Sequence, residues 1–300
     1  MTDKKSFIWF DGKMVSHEKA QVQILNHSLH YGSAVFEGIR CYDAKMGPVI
    51  FRPKDHVKRF FYSASAMGMK ISFSQKEIYD AIRKTVEKNN LKECYIRPIA
   101  FYGGKMGLFP VGAPLHVAIA AWPWAKYLDK ESVRVNISSY SRLHRNSTDM
   151  AAKISGHYAN SIIASLESKK LGFDEALPLD EKGMIAEGPG ENIFFVKKNT
   201  IFTPKTGAIL PGITRESVMK IAGDFGYKVL ERNIRPRDLK NFEEAFFTGT
   251  AVEVNAIGQI EKVKYGKGKE GEVTRKIKET YLQTVHGKID RYAKWLDYVK

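Results

Sequence analysis

At 300 residues, 43% hydrophobic and 27% charged, the chain has the composition of a globular protein with room for two cores. Its opening MTDKKSFIWFDGK has no signal-peptide centre, and no apolar run approaches the roughly 20 residues of a membrane span. Cys41 and Cys94, far apart and without zinc-type spacing, argue against a disulfide framework or metal finger and for a reducing cytoplasm. A formal charge of +15 raises nucleic-acid binding as a possibility. The lysines are scattered through helical stretches such as KEIYDAIRKTVEKNN, however, and the densest patch, KVKYGKGKEG, contains acid. The charge reads instead as steering for anionic substrates and cofactors.

In chain order, FIWFDGKMV predicts a hairpin turning at Asp11-Gly12. HYGSAVFEGIRCYDAKMGPVIFR reads as strand–turn–strand, followed by a helix from about Pro53 to Met67 with proline at its start. A second helix, about Gln75 to Asn90, carries Ile78, Ile82 and Val86 on one face. The strands CYIRPIAFYGG and LHVAIAAWPW complete a small α+β domain over residues 1–125. Residues 126–136, around AKYLDKES, are expected to link it to a larger domain over 137–300.

In that second part VRVNISSYSR alternates as a strand, and Tyr158 to Lys170 is expected to be helical. Short strands follow at EALPLD, GMIAEG and NIFFVKKNTIFTP, the last a hairpin turning at Lys198-Asn199. TRESVMKIAGDFG predicts a helix with Thr214 as N-cap, Val218, Ile221, Ala222 and Phe225 inward, and Gly226 as its stop. Strand YKVLERNI, a short helix at RPRDLKNF and strands EEAFFTGT and EVNAIGQI come next. A long helix with Val273, Ile277, Tyr281 and Val285 on one face is expected to close the chain.

Four short stretches carry candidate chemistry. In AAKISGHYAN, Lys153 stands among small, mostly apolar neighbours that neither solvate nor pair an amine. In GMIAEGPGEN, glycines around Pro189 force a bend that projects Glu187 from the end of an apolar run. LPGITRE opens a helix behind a tight turn, where amide N–H groups suit an anion. FFTGTAVE breaks a β run into small and hydroxyl residues that can approach a ligand. Taken singly, each is more often an ordinary turn or a solvated charge. Taken together, a shielded lysine, a carboxylate and two phosphate turns are the parts of a pyridoxal phosphate site.

These stretches resemble the large-domain motifs of fold-type IV pyridoxal-phosphate aminotransferases, in the same order: AAKISGHY, IAEGPGEN, LPGITR and TGTAVE. HYGSAVFEGIRCY and FRPKDHVKRF resemble their small-domain motifs. The resemblance runs from about Ile8 to the C-terminal helix and is closest to bacterial-type branched-chain amino acid aminotransferases. It implies a two-domain α+β fold of the D-amino acid aminotransferase-like type, with pyridoxal 5′-phosphate as cofactor and no metal. Lys153 would be the catalytic lysine, bonded to the cofactor and moving the proton between substrate and cofactor. Glu187 would face the pyridine nitrogen, Tyr158 the phenolic oxygen and Arg59 the phosphate. Leu210, Ile213, Thr214 and Thr250 would complete the cofactor site.

On the substrate side, Phe36, Tyr95, Trp124 and Tyr127 offer an aromatic wall for a branched side chain. Arg97, two residues beyond Tyr95 on a strand, faces the same way and can meet a second carboxylate. The resemblance adds Tyr31 and Tyr127 as its helpers, Gly38 beside the wall, and the Thr250–Ala251 amides for the α-carboxylate. It also places Tyr31, Met106 and Leu108 in the pocket of a second subunit, so at least a homodimer, up to a hexamer, is implied. The implied reaction transfers the amino group of L-leucine, L-isoleucine or L-valine reversibly to 2-oxoglutarate, giving glutamate. His144 and Arg145 depart from the residues expected between the domains. D-amino acid aminotransferases and aminodeoxychorismate lyases share the lysine, the glutamate and the phosphate turns. The Tyr95-x-Arg97 pair, GMGL and HYGSAVFEGIR favour the branched-chain enzyme, and a basic binding protein with a vestigial site is the alternative from another class.

Overall fold

Asp11 and Gly12 both adopt positive φ, the conformation of a two-residue hairpin turn, and fold β1 (Phe7–Phe10) back on β2 (Lys13–Ser16). The computed structural model describes residues 6–124 and 130–299. Two compact units divide these residues. One comprises the described part of Met1–Ala125 with Ala152–His157 and Gln283–Lys300; the other comprises the described part of Lys126–Ala151 with Tyr158–Leu282.

In the first unit, α1 (His27–Tyr31) starts under the Asn26 side chain, which accepts from the Ser28 and Leu29 amides, and ends at the left-handed Gly32. β3 (Ala34–Phe36), β4 (Ile39–Ala44) and β5 (Gly47–Phe51) lead to α2 (Pro53–Ala66), which opens on proline as expected. α3 (Gln75–Lys88) opens with a reciprocal Ser74–Glu77 capping box. β6 (Cys94–Tyr102) and β7 (Leu115–Pro123) are the long central strands. The sheet runs from a C-terminal strand, Leu296–Tyr298, through β5-β4-β6-β7-β1-β2, with β3 also paired to β6. Ile78, Ile82 and Val86 of α3 pack into its core together with Val57 and Phe60 of α2.

The second unit is a sheet in the order β12-β11-β10-β13-β14-β8-β9. Its elements are β8 (Ser132–Ile137), α4 (Tyr158–Lys170), β9 (Glu175–Leu177), β10 (Asn192–Lys197), β11 (Thr200–Thr203) and α5 (Ile213–Asp224). They continue through β12 (Lys228–Glu231), β13 (Glu244–Gly249) and β14 (Glu253–Ile260). A two-residue β15 (Val263–Lys264) and α6 (Glu272–Val285) follow. Among the described residues no helix is long and apolar enough to cross a membrane.

Five expectations need correction. Phe225, expected inward, is the exposed C-cap of α5. Lys153 and its neighbours pack with the N-terminal unit, and β8 begins inside the stretch expected to be a linker. GMIAEG is not a strand: only an isolated bridge, Leu179 to Ile185, forms there, because Glu187 and the following Gly-Pro-Gly leave the ladder. The N-cap of α5 is Gly212, and Thr214 is buried in its first turn; a proline–glycine turn brings the chain into the helix two residues earlier than a hydroxyl cap would. The chain does not end in a helix. The stripe from Val273 to Val285 forms α6 as expected, and beyond it Leu296–Tyr298 pairs antiparallel with β5, with Val299 in the core.

Phe194 and Phe246 are opposite one another on β10 and β13, fully buried, with rings stacked at 5.1 Å. Phe246→Ala removes a whole ring from this layer and should cost about 3–5 kcal/mol. Urea denaturation with an unchanged slope checks this, and a loss below about 1 kcal/mol would mean that the sheet repacks around the gap.

Candidate active site

In the first unit, Lys153 is placed by its backbone. Ala152 and Ile154 on either side are buried in the core, and Ile154 bridges to Val35. The Lys153 amide donates to Ser63 Oγ of α2 at 2.9 Å, and its carbonyl accepts from the Phe36 amide at 3.1 Å. Gly156 lies where the chain passes closest to α1: its amide donates to the Gly32 carbonyl, and a Cβ on Gly32 would lie 2.8 Å from the Gly156 Cα. The amine of Lys153 is thereby presented 4.9 Å from the centre of the Phe36 ring.

Arg97 lies on the same side. Its guanidinium stands 4.6 Å from the Phe36 ring centre, 5.3 Å from Tyr95 and 5.9 Å from Trp122. Among the described residues its polar side-chain contact is a long one, from Nη2 to the Tyr95 hydroxyl at 3.5 Å, and its buried Nε has no partner. No described carboxylate pairs with it. Trp124 stacks obliquely on Tyr95 at 4.8 Å. Gly38 is required here, since a Cβ would lie 1.8 Å from the Tyr95 hydroxyl. Arg59 of α2 gives Nε and Nη2 to the buried carboxylate of Glu37.

The structure therefore gathers Lys153, Phe36, Gly38, Tyr95, Arg97 and Trp124 in one unit. Tyr31, Met106 and Leu108 lie instead on its exposed surface, where the Gly107 amide donates to the Tyr31 hydroxyl at 3.4 Å. Tyr127 lies outside the described residues. Sequence reasoning missed Trp122, although it is two residues before Trp124 on a strand, in register with Tyr95.

In the second unit, Glu187 is buried and receives three kinds of donor. Arg142 Nη2 reaches Oε1 at 2.7 Å, Asn192 Nδ2 reaches Oε2 at 3.0 Å, and the Leu210 amide lies 3.2 Å from both oxygens. Asn192 also donates to the Leu210 carbonyl, which ties the LPG turn to the carboxylate. Gly212 is fixed by this packing, because a Cβ would lie 2.0 Å from Asn192 Oδ1. Ile213 and Thr214 are the first two residues of α5, behind a glycine cap with no side-chain acceptor. Tyr158 opens α4, and Thr250 and Ala251 form the half-buried turn between β13 and β14. Of the unusual pair, Arg145 meets Glu181 at 3.3 Å and His144 Nδ1 accepts from the Asn146 amide. The consequential residue of that stretch is Arg142.

The amino-transferase class IV family matches residues 34–260. A branched-chain-amino-acid aminotransferase of Pseudomonas aeruginosa is 43% identical over 100% of this chain and 99% of its own length. That of Escherichia coli (strain K12) is 40% identical over 100% and 99%. The solved structure of the T.th. branched-chain amino acid aminotransferase complexed with N-(5′-phosphopyridoxyl)-L-glutamate superposes with a TM-score of 0.96, at 43% identity over 99% of each chain. The chain belongs to the class IV aminotransferase family.

The cofactor implied by that family, pyridoxal 5′-phosphate, fits the donor set. A presented lysine amine and an oriented arginine occur in one unit. An anchored carboxylate and a glycine-capped helix start occur in the other. Thr248 adds a fully buried hydroxyl with no hydrogen-bond partner among the described residues, opposite Asn192 on the neighbouring strand. Such an orphan is expected where a ligand atom completes the set.

Arg142→Met removes the cationic partner of the buried Glu187 carboxylate, which keeps Asn192 and the Leu210 amide as donors, and should cost about 3–5 kcal/mol of stability. The double variant with Glu187→Gln should recover most of that loss. Chemical denaturation of the four proteins checks the cycle; additive losses would show that Arg142 acts through its second contact, Ser161.

Proposed function

We propose that this chain is a pyridoxal-phosphate-dependent branched-chain amino acid aminotransferase, moving the amino group of L-leucine, L-isoleucine or L-valine reversibly to 2-oxoglutarate. The observation that carries the reading is Arg97, a cation set among aromatic rings with no described carboxylate partner. The rings suit an aliphatic side chain, and the guanidinium suits the second carboxylate of glutamate. One pocket can thus take both substrates.

Lys153 would supply the amine that holds the cofactor and, once released, the base that takes the proton from the substrate Cα and the acid that delivers it to the cofactor. When bound, the cofactor supplies the electron sink for the charge left on that carbon. Glu187, held by Arg142 and Asn192, keeps the ring nitrogen protonated. Tyr158 takes the phenolic oxygen. Arg59, the Ile213 and Thr214 amides and the Thr250 hydroxyl hold the phosphate, with Leu210 at the head of their turn. The Thr250–Ala251 amides would receive the substrate α-carboxylate, while Phe36, Tyr95 and Trp124 would enclose its side chain beside Gly38.

The exposed apolar residues Ile24, Leu25, Leu29, Leu108 and Phe109 support a homodimer in which Tyr31, Met106 and Leu108 serve a partner's pocket. Two widely spaced cysteines support a reducing cytoplasm as the enzyme's compartment. An amino-donor panel with 2-oxoglutarate as acceptor tests the assignment: the three branched-chain L-amino acids should lead, and D-alanine should be inert.

Lys153→Ala should abolish transamination while leaving the melting temperature nearly unchanged, since its backbone contacts persist. Near-normal turnover would remove Lys153 from the mechanism.

Arg97→Met should separate the two half-reactions. Methionine preserves apolar contact for leucine but leaves the γ-carboxylate of glutamate without a cation, a loss worth about 2–5 kcal/mol. The kcat/KM for glutamate and 2-oxoglutarate should fall by about tenfold to a hundredfold or more. The leucine half-reaction, followed by single-turnover absorbance, should change far less. Equal losses would assign Arg97 to the common α-carboxylate.

A further inference from the structure

Glu37 follows β3 directly and is buried with no exposed surface. It is held from three sides. Its amide donates to the Pro98 carbonyl at 2.9 Å, His56 Nδ1 lies 2.7 Å from Oε2, and Arg59 donates through Nε to Oε1 at 2.6 Å and through Nη2 to Oε2 at 2.9 Å. Burial alone would raise the Glu37 pKa, but the Arg59 charge and these hydrogen bonds outweigh it, so the carboxyl stays ionised well below its usual range. Burial pushes the His56 pKa down against the pull of Glu37, and the Arg59 and Lys153 charges push the same way. His56 is therefore neutral and donates Nδ1–H, because a carboxylate can only accept.

Resting on the reading of Arg59 as the phosphate-binding arginine, we propose that Glu37 is its positioning residue. By engaging the Nε–Nη2 edge of the planar guanidinium, Glu37 fixes the plane and turns the opposite edge toward the cofactor phosphate. A guanidinium is a rigid fork, so fixing one edge fixes the other. The same carboxylate neutralises Arg59 in its nearly buried setting, which lets the cation wait for phosphate without reorganising. Ser63, four residues beyond Arg59 on α2, holds the Lys153 amide, so one helix sets both the arginine and the lysine. Glu37 also sits next to Phe36 in sequence, and this links the phosphate arginine to the substrate wall through two consecutive residues.

The test compares the affinity of the full-length protein for pyridoxal 5′-phosphate with that for pyridoxal, which lacks the phosphate. Equilibrium dialysis is run on wild type, Glu37→Gln, Arg59→Ala and the double variant. Glu37→Gln should weaken pyridoxal 5′-phosphate binding by at least about tenfold, the scale of one lost charge-assisted hydrogen bond, and leave pyridoxal unchanged. In the Arg59→Ala background it should have no further effect. Unchanged or tighter binding of the phosphate form by Glu37→Gln overturns the proposal, as does an equal loss for both ligands. If Arg59→Ala itself keeps the preference for the phosphate form, the assignment of Arg59 fails instead. Should Glu37→Gln not fold, wild type gives an independent reading. In arginine-¹⁵N-labelled protein the Arg59 Nε–H, assigned by its loss in Arg59→Lys, should stay protected from solvent exchange with and without cofactor. Rapid exchange in either state overturns the proposal.

Discussion

The arrangement in the first unit depends on a lysine held by its main chain. Two hydrogen bonds, amide to Ser63 and carbonyl from Phe36, fix Lys153 between α2 and β3 without drawing on its side chain. Buried neighbours on both sides prevent the segment from rotating. A lysine positioned through its side chain would have to give up that contact whenever the amine reacts. Backbone anchoring avoids the conflict, and it requires the close approach of Gly156 to Gly32, where a Cβ on Gly32 would lie 2.8 Å from the Gly156 Cα.

Both units repeat one electrostatic device. A buried glutamate is paired with an arginine and a second polar donor: Glu37 with Arg59 and His56, Glu187 with Arg142 and Asn192. Burying a lone carboxylate costs several kcal/mol, and each pair offsets most of that by proximity and geometry. On the readings proposed above, the two pairs would be used in opposite senses. In one the arginine would be presented to an anion and the carboxylate would position it. In the other the carboxylate would be presented and the arginine would hold it.

Much of this was legible in the sequence because local patterns decide it. The Asp11-Gly12 turn, the proline opening α2 and the apolar stripe of α3 depend on neighbours within a few residues. The glycines at 188, 190 and 212 marked where the backbone must turn sharply or leave room for a side chain. What stayed hidden was set by distant partners. Arg142 lies 45 residues from Glu187, and nothing in SRLHRN separates it from its more exposed neighbour Arg145. Glu37, beside an apolar strand, read as part of a motif, while its burial depends on His56, 19 residues later on α2. The C-terminal strand was hidden for the same reason: LDY becomes a strand only because the β5 edge is there to pair with it.

Arg97, without a carboxylate partner among the described residues, shows how ring faces can stand in for a counter-ion. A half-buried charge without a counter-ion costs stability. Three ring faces within 6 Å, each worth about 0.5–2 kcal/mol, compensate much of it without supplying a negative charge. The rings are therefore two things at once, an apolar wall for a branched side chain and a diffuse counter-charge for the guanidinium. A carboxylate in their place would stabilise Arg97 more, but on the reading proposed above it would compete with glutamate for the guanidinium, whereas the rings would leave one pocket open to both substrates.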